Sequence, residues 1–182
     1  MEHFLVQHCA PTLAGLKMAN LFNCPVASAA ELQTYLRQAN RHLNAKNVFA
    51  EALREGGGRA LIFVYRKNIL QAALLTEAVS QFLSTYGYDC GSCDSCLARL
   101  KERCASSQGF PHEIGVFLGY PLEDVVGFIV NGGKNSKSSG MWKVYGDTQQ
   151  AEKLFAQYNK CKKIYMKLFS AGQSVTQLTV AV

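Results

Sequence analysis

Apolar residues fall in two rhythms along this chain. Short continuous runs alternate with stretches in which apolar side chains return every third or fourth residue. The runs at residues 4–7, 60–65, 114–118 and 141–145 predict four strands. Ala60-Leu61-Ile62-Phe63-Val64-Tyr65 has no polar face at all, the pattern of a strand buried on both sides, as in a parallel sheet. Helical spacing dominates between the runs. Leu32, Tyr35, Leu36, Ala39 and Leu43 predict a helix over 28–44, opened by the capping box of Ser28 and Glu31. A short helix is expected over 47–54, stopped at Gly56-Gly57-Gly58. Further helices are expected over about 68–85 and 92–106. Pro121 opens another, with Leu122, Val125, Val126 and Ile129 as its stripe and Asn131-Gly132-Gly133 as its end. Asp147 and Gln150 begin the last helix, whose apolar side runs from Ala151 and Leu154 through Tyr158 and Cys161 to Phe169. Strand–helix alternation predicts a three-layer α/β fold: a mostly parallel four-stranded sheet with helices on both faces. No Pro/Gly-rich linker interrupts it, so residues 1–182 are expected to form one domain.

Composition narrows the class without fixing a function. Hydrophobic residues make up 48% of the 182, enough for a core. No apolar stretch approaches the roughly 20 residues that cross a bilayer, and the first residues lack a signal-peptide pattern. A cytoplasmic protein with no membrane association is the expectation. Seven cysteines, an odd count, fit reduced thiols better than a disulfide framework. The formal charge of +6 permits an anionic partner, but many lysines sit on the last helix without interleaved aromatics, so nucleic acid is not the expected ligand.

Several groups could carry chemistry. Cys90, Cys93 and Cys96, with Cys104 beyond, have the look of a metal or cluster motif. However, Cys93, Cys96, Leu97, Leu100 and Cys104 also share one helix face, where cysteine packs as a small hydrophobe. The core reading is preferred, and no metal site is assigned. If the four strands are parallel, the residues leaving their carboxyl ends meet in one crevice. That would gather His8 and Cys9, Arg66 and Lys67, Tyr120, Lys143 and Tyr145, with Arg66 suited to an anion and Cys9 a candidate nucleophile. His112 and Glu113 invite a general-base role but fall at the opposite edge. The Gly132–Gly140 loop is polar and glycine-rich without being a Walker motif; it could cradle an anion or serve as a lid.

Long strings of this sequence resemble a bacterial family, domain of unknown function 3793, associated with clostridial-type anaerobes. They are residues 8–17 (HCAPTLAGLK), Asn20-Leu21-Phe22, Val64-Tyr65-Arg66, residues 110–121 (FPHEIGVFLGYP), Asp124-Val125, Gly127-Phe128 and Trp142-Lys143-Val144-Tyr145. Many members carry cysteines before the tryptophan where this chain has Ser136 and Ser139, so no thiol or metal site is implied in that loop. The resemblance carries no reaction and names no cofactor. The expected function is therefore the binding of a small anionic ligand or cofactor, as an accessory protein of anaerobic redox metabolism. The alternatives are thiol-dependent group transfer through Cys9 with His8 or His112 as base, and a protein-interaction module of unknown partner.

Overall fold

The computed structural model describes residues 2–106 and 109–181. Helices dominate, around a three-stranded sheet that is antiparallel throughout. Helix α1 (Glu2–Leu13) leads into β1 (Ala19–Pro25), α2 (Ala29–Leu43), a 3-10 turn (Asn44–Lys46), β2 (Val48–Gly56) and β3 (Arg59–Arg66). Then come α3 (Lys67–Leu74), α4 (Glu77–Ser84), α5 (Cys93–Ala105), α6 (Ile114–Phe117) and α7 (Leu122–Val130). A two-stranded ribbon, β4 (Ser138–Ser139) with β5 (Lys143–Val144), precedes the long α8 (Thr148–Ser170) and short α9 (Val175–Leu178).

The mostly parallel four-stranded sheet is thus overturned, for local reasons. Residues 4–7 are helical, because Leu5, Val6, Cys9, Ala10 and Leu13 bury one side of α1. Residues 48–56 form a strand despite their Ala, Glu, Leu and Arg content, since pairing with β3 outweighs intrinsic helix propensity. Gly57 and Gly58, at φ +59° and +70°, make the tight hairpin turn rather than a helix cap. The 114–118 run is a buried helical turn, and of 141–145 only Lys143 and Val144 are strand. The helix expected over 68–85 is split in two at Leu75 and Thr76. Strand β1 went unread because Asn20, Asn23 and Pro25 interrupt its apolar alternation.

Strand β3 lies centrally, in the order β1-β3-β2. Its side chains alternate between two cores. Leu61, Phe63 and Tyr65 face α3 to α7, while Ala60, Ile62 and Val64 face α1, α2, α8 and α9. Burial on both sides needs only helices over both faces, not parallel neighbours. On the outer side of β2, the Asn40 amide of α2 donates to Ala50 O (2.9 Å) and accepts from Ala50 N (2.8 Å).

Arg66 ends β3 at 1% exposure and is paired with no carboxylate among the described residues. Its guanidinium donates to Thr12 O (2.7 Å), Leu13 O (2.8 Å) and Val180 O (2.9 Å). Two of these are the last carbonyls of α1, which carry the negative end of the helix dipole. Val180 N returns a bond to Leu13 O, so one cation joins α1, β3 and the C-terminal segment. Lys46 adds bonds to the carbonyls of Thr176 and Thr179. Arg66→Met removes all three of these bonds, leaving Thr12 O and Leu13 O with one backbone donor each and Val180 O with none among the described residues. The expected loss is about 3 kcal/mol or more in urea unfolding, and a loss below about 1 kcal/mol would refute the clamp.

Candidate functional site

With no parallel strand ends, the expected crevice has no edge on which to form. Its residues are dispersed. Cys9 lies in α1 at 0% exposure, and burial pushes its thiol far up. His8 stacks on Phe22 (centroids 5.3 Å apart) and near Phe4, and burial followed by the nearby Lys162 lowers its imidazole. Arg66 is committed to the clamp. Lys67 pairs with exposed Asp94 (2.9 Å), which raises its ammonium. Glu113 is buried at 1%, accepting from Tyr88 Oη (3.0 Å) and from Arg103. Tyr145 Oη donates to Lys134 O, and Lys143 Nζ to Gly133 O. Cys90, Cys93, Cys96 and Cys104 all lie in the core beside Leu97 and Leu100. Burial lifts the thiols of Cys93 and Cys104 to about 11. The described residues contain no group of three or more His, Cys, Asp or Glu placed to hold a metal ion.

Two of the crevice residues, Tyr120 and Lys143, nevertheless share a cleft, joined there by His112, which was expected at the opposite edge. His112, Tyr120 and Lys143 line a cleft of about 370 Å³ between α6, α7, β1 and the β4–β5 ribbon. Its walls are Leu21, Ile114, Leu118, Val125, Phe128 and Trp142, with Phe110 and Met141 at the mouth. Apolar walls with a few polar groups are what a small-molecule site requires. The His112 ring meets Phe128 edge-on at 5.0 Å. Tyr120 stacks on Trp142 at 4.7 Å, and Phe155 of α8 abuts the indole at 4.5 Å.

Asp124 sets the position of that aromatic wall. It is 3% exposed in the first turn of α7, where its charge suits the helix dipole. Oδ2 accepts from Trp142 Nε1 (2.7 Å), and Oδ1 from the backbone N–H groups of Tyr145 (2.7 Å) and Gly146 (2.8 Å). The Tyr145 ring lies so close over Gly127 that any Cβ there would collide with it. Asp124, Leu21 and Phe128 were not singled out from the sequence as site residues. The available signal was the need of a buried indole N–H for an acceptor, which an Asp in the preceding motif could supply.

A second cleft, of about 270 Å³, adjoins the first and shares Leu21, Tyr120 and Met141 with it. Its other lining is mostly polar, with Gln7, His8, Lys17, Asn20, Asn159 and Lys162 beside Pro11 and Tyr158. Lys17 is the unusual member. It is 6% exposed, pairs with no carboxylate among the described residues, and donates to Leu118 O (2.9 Å) and Ala19 O. Its Nζ sits 5.2 Å from the centre of the Tyr120 ring. Burial pulls its ammonium down to about 8.

Two outcomes check this geometry. Asp124→Asn turns an NH2 group toward one of three N–H donors, so the protein should lose about 2–3 kcal/mol in urea unfolding. Emission from Trp142, the sole tryptophan, should shift to the red. For Lys17, the unfolded chain titrates near its ordinary value of about 10.4 and the folded chain near 8. Between those values the unfolded state holds the extra proton, so the contribution of Lys17 to stability rises with pH across that window. The unfolding free-energy difference between the protein and Lys17→Met should therefore move in favour of the lysine as the pH rises. A constant difference would contradict the assignment.

No helix among the described residues is long and apolar enough to cross a membrane. No curated protein matches the chain. Nor does any solved structure. The sequence does match, over residues 5–179, the model of a family described as "Protein of unknown function (DUF3793)". That span takes in both clefts and Arg66 with its acceptors in α1, and the chain belongs to this family.

Proposed function

We propose that the protein binds a small amphipathic anion, with its apolar body in the Trp142 cleft and its charged group at the rim. The carrying observation is one apolar cavity of useful size with a cation, Lys143, and an imidazole, His112, in its lining. Lys143 Nζ uses one donor on Gly133 O, and its charge and other donors are available to a ligand carboxylate or phosphate. Asp124, behind the aromatic wall, is negative and cannot be the counter-charge of an anion; its three accepted hydrogen bonds occupy it within the protein. Apolar contact then supplies most of the affinity, and the rim supplies orientation and the preference for an anion. A cytoplasmic setting belongs to the same proposal. It is supported by seven free thiols, which a reducing compartment preserves.

The position of Trp142 makes the test direct. Titration with 3-phenylpropionate, followed by indole emission, should saturate, and 3-phenylpropionamide should bind more weakly. Lys143→Gln should weaken the carboxylate about tenfold, the value of one charge-assisted hydrogen bond, while leaving the amide nearly unchanged. No emission change with either compound, or equal loss for both in the variant, would overturn the reading.

A further inference from the structure

Lys17 presents a problem that a structural role does not solve. A lysine buried this deeply ordinarily has a carboxylate partner. Here no carboxylate pairs with it among the described residues; its neighbours include two backbone carbonyls, the face of Tyr120 and the buried Cys9 thiol. Arg66 holds buried carbonyls with a guanidinium, and the lysines that do similar work, Lys46 and Lys143, are only half-buried, whereas Lys17 is 6% exposed. Arginine offers more donors in a fixed fork and does not deprotonate; lysine differs in being able to become a neutral amine. A neutral Lys17 could spend both N–H groups on Leu118 O and Ala19 O. By tetrahedral geometry its lone pair would then remain on the side of nitrogen away from them. Lys17 also lines the second cleft, beside the residues shared with the first.

We propose that Lys17 is a nucleophilic amine that forms an imine with an aldehyde or ketone whose apolar body occupies the Trp142 cleft. The inference rests on the proposed reading of that cleft as a ligand site. The reaction needs no oxidant or reductant. The amine nitrogen attacks the carbonyl carbon, giving a carbinolamine after proton transfer from nitrogen to oxygen. Loss of that oxygen as water, with the second nitrogen proton, leaves a C=N bond. Burial favours the attacking form: an amine titrating near 8 is neutral on the order of 100-fold more often at neutral pH than an ordinary lysine. His8 lines the same cleft, and its lowered imidazole is suited to carry protons between nitrogen, oxygen and water.

The test is reductive trapping on the full chain with 3-phenylpropanal and sodium cyanoborohydride near pH 7, read by peptide mass spectrometry. Lys17 should acquire a single phenylpropyl group at least about 10-fold faster than the exposed lysines, the direction set by their higher pKa. Its labelling rate should level off above pH 8 while theirs keeps rising. Lys17→Arg should abolish the fast adduct. Labelling spread over exposed lysines with Lys17 unmodified would overturn the proposal, and this readout on the unaltered protein does not depend on the variant folding. The phenylpropionate titration separates the two claims. Binding without Lys17 labelling removes the imine and leaves the cleft; labelling of Lys17 without phenylpropionate binding supports the amine and removes the cleft reading; failure of both removes both.

Discussion

One guanidinium holds three distant parts of this chain together. Arg66 closes the central strand, and its donors reach the end of the first helix and the C-terminal segment. A buried cation without a carboxylate is costly to desolvate, so it tolerates little displacement of the carbonyls that solvate it. The negative end of α1 is thereby fixed against the sheet, and β1 starts a few residues later at a fixed place. Met18 O accepts from Arg66 N, which ties the entry of β1 to the same residue. Leu21 of β1 then stands in both clefts, and Lys17 sits just before the strand. The site's floor is in this sense positioned from the opposite face of the sheet.

A carboxylate does the corresponding work on the other wall. Asp124 accepts from an indole and two successive backbone amides, so a loop with almost no regular structure takes a defined path. The ribbon contributes few hydrogen bonds of its own. Its place depends on Asp124, on the Tyr145 ring over Gly127, and on packing of Trp142 against Phe155. Both charged anchors are buried and both bind mainly backbone. One shapes the floor and the other the aromatic side of the same cavity.

Helix signals were legible where caps and stripes agreed. Ser28 and Asp147 cap the helices expected of them, and the α8 stripe is buried at Ala151, Tyr158 and Cys161 and half-buried elsewhere. Orientation was not legible. The run 60–65 shows burial on two faces, and that property is shared by parallel strands and by an antiparallel strand between helical layers. The run 114–118 was ambiguous for a related reason: five apolar residues buried all round have no period to read. Because the site had been placed on strand ends, the error in direction dispersed it. His112, Tyr120 and Lys143 come together through the α6–α7 turn and the ribbon, a long-range arrangement with no local signature. Lys17 lay inside a recognised motif, but nothing in its neighbours along the chain marks it as buried.

A small sheet has two open borders, each a row of unpaired backbone groups on which another chain could grow. The Asn40 amide occupies one such position: it gives and takes one hydrogen bond at Ala50, as a residue of a fourth strand would. The extra residue at Leu53 bends β2 beyond that point, and Pro25 removes a donor from the far end of β1. Colloidal behaviour is therefore written partly into a helix, since a side chain of α2 denies incoming strands a rung.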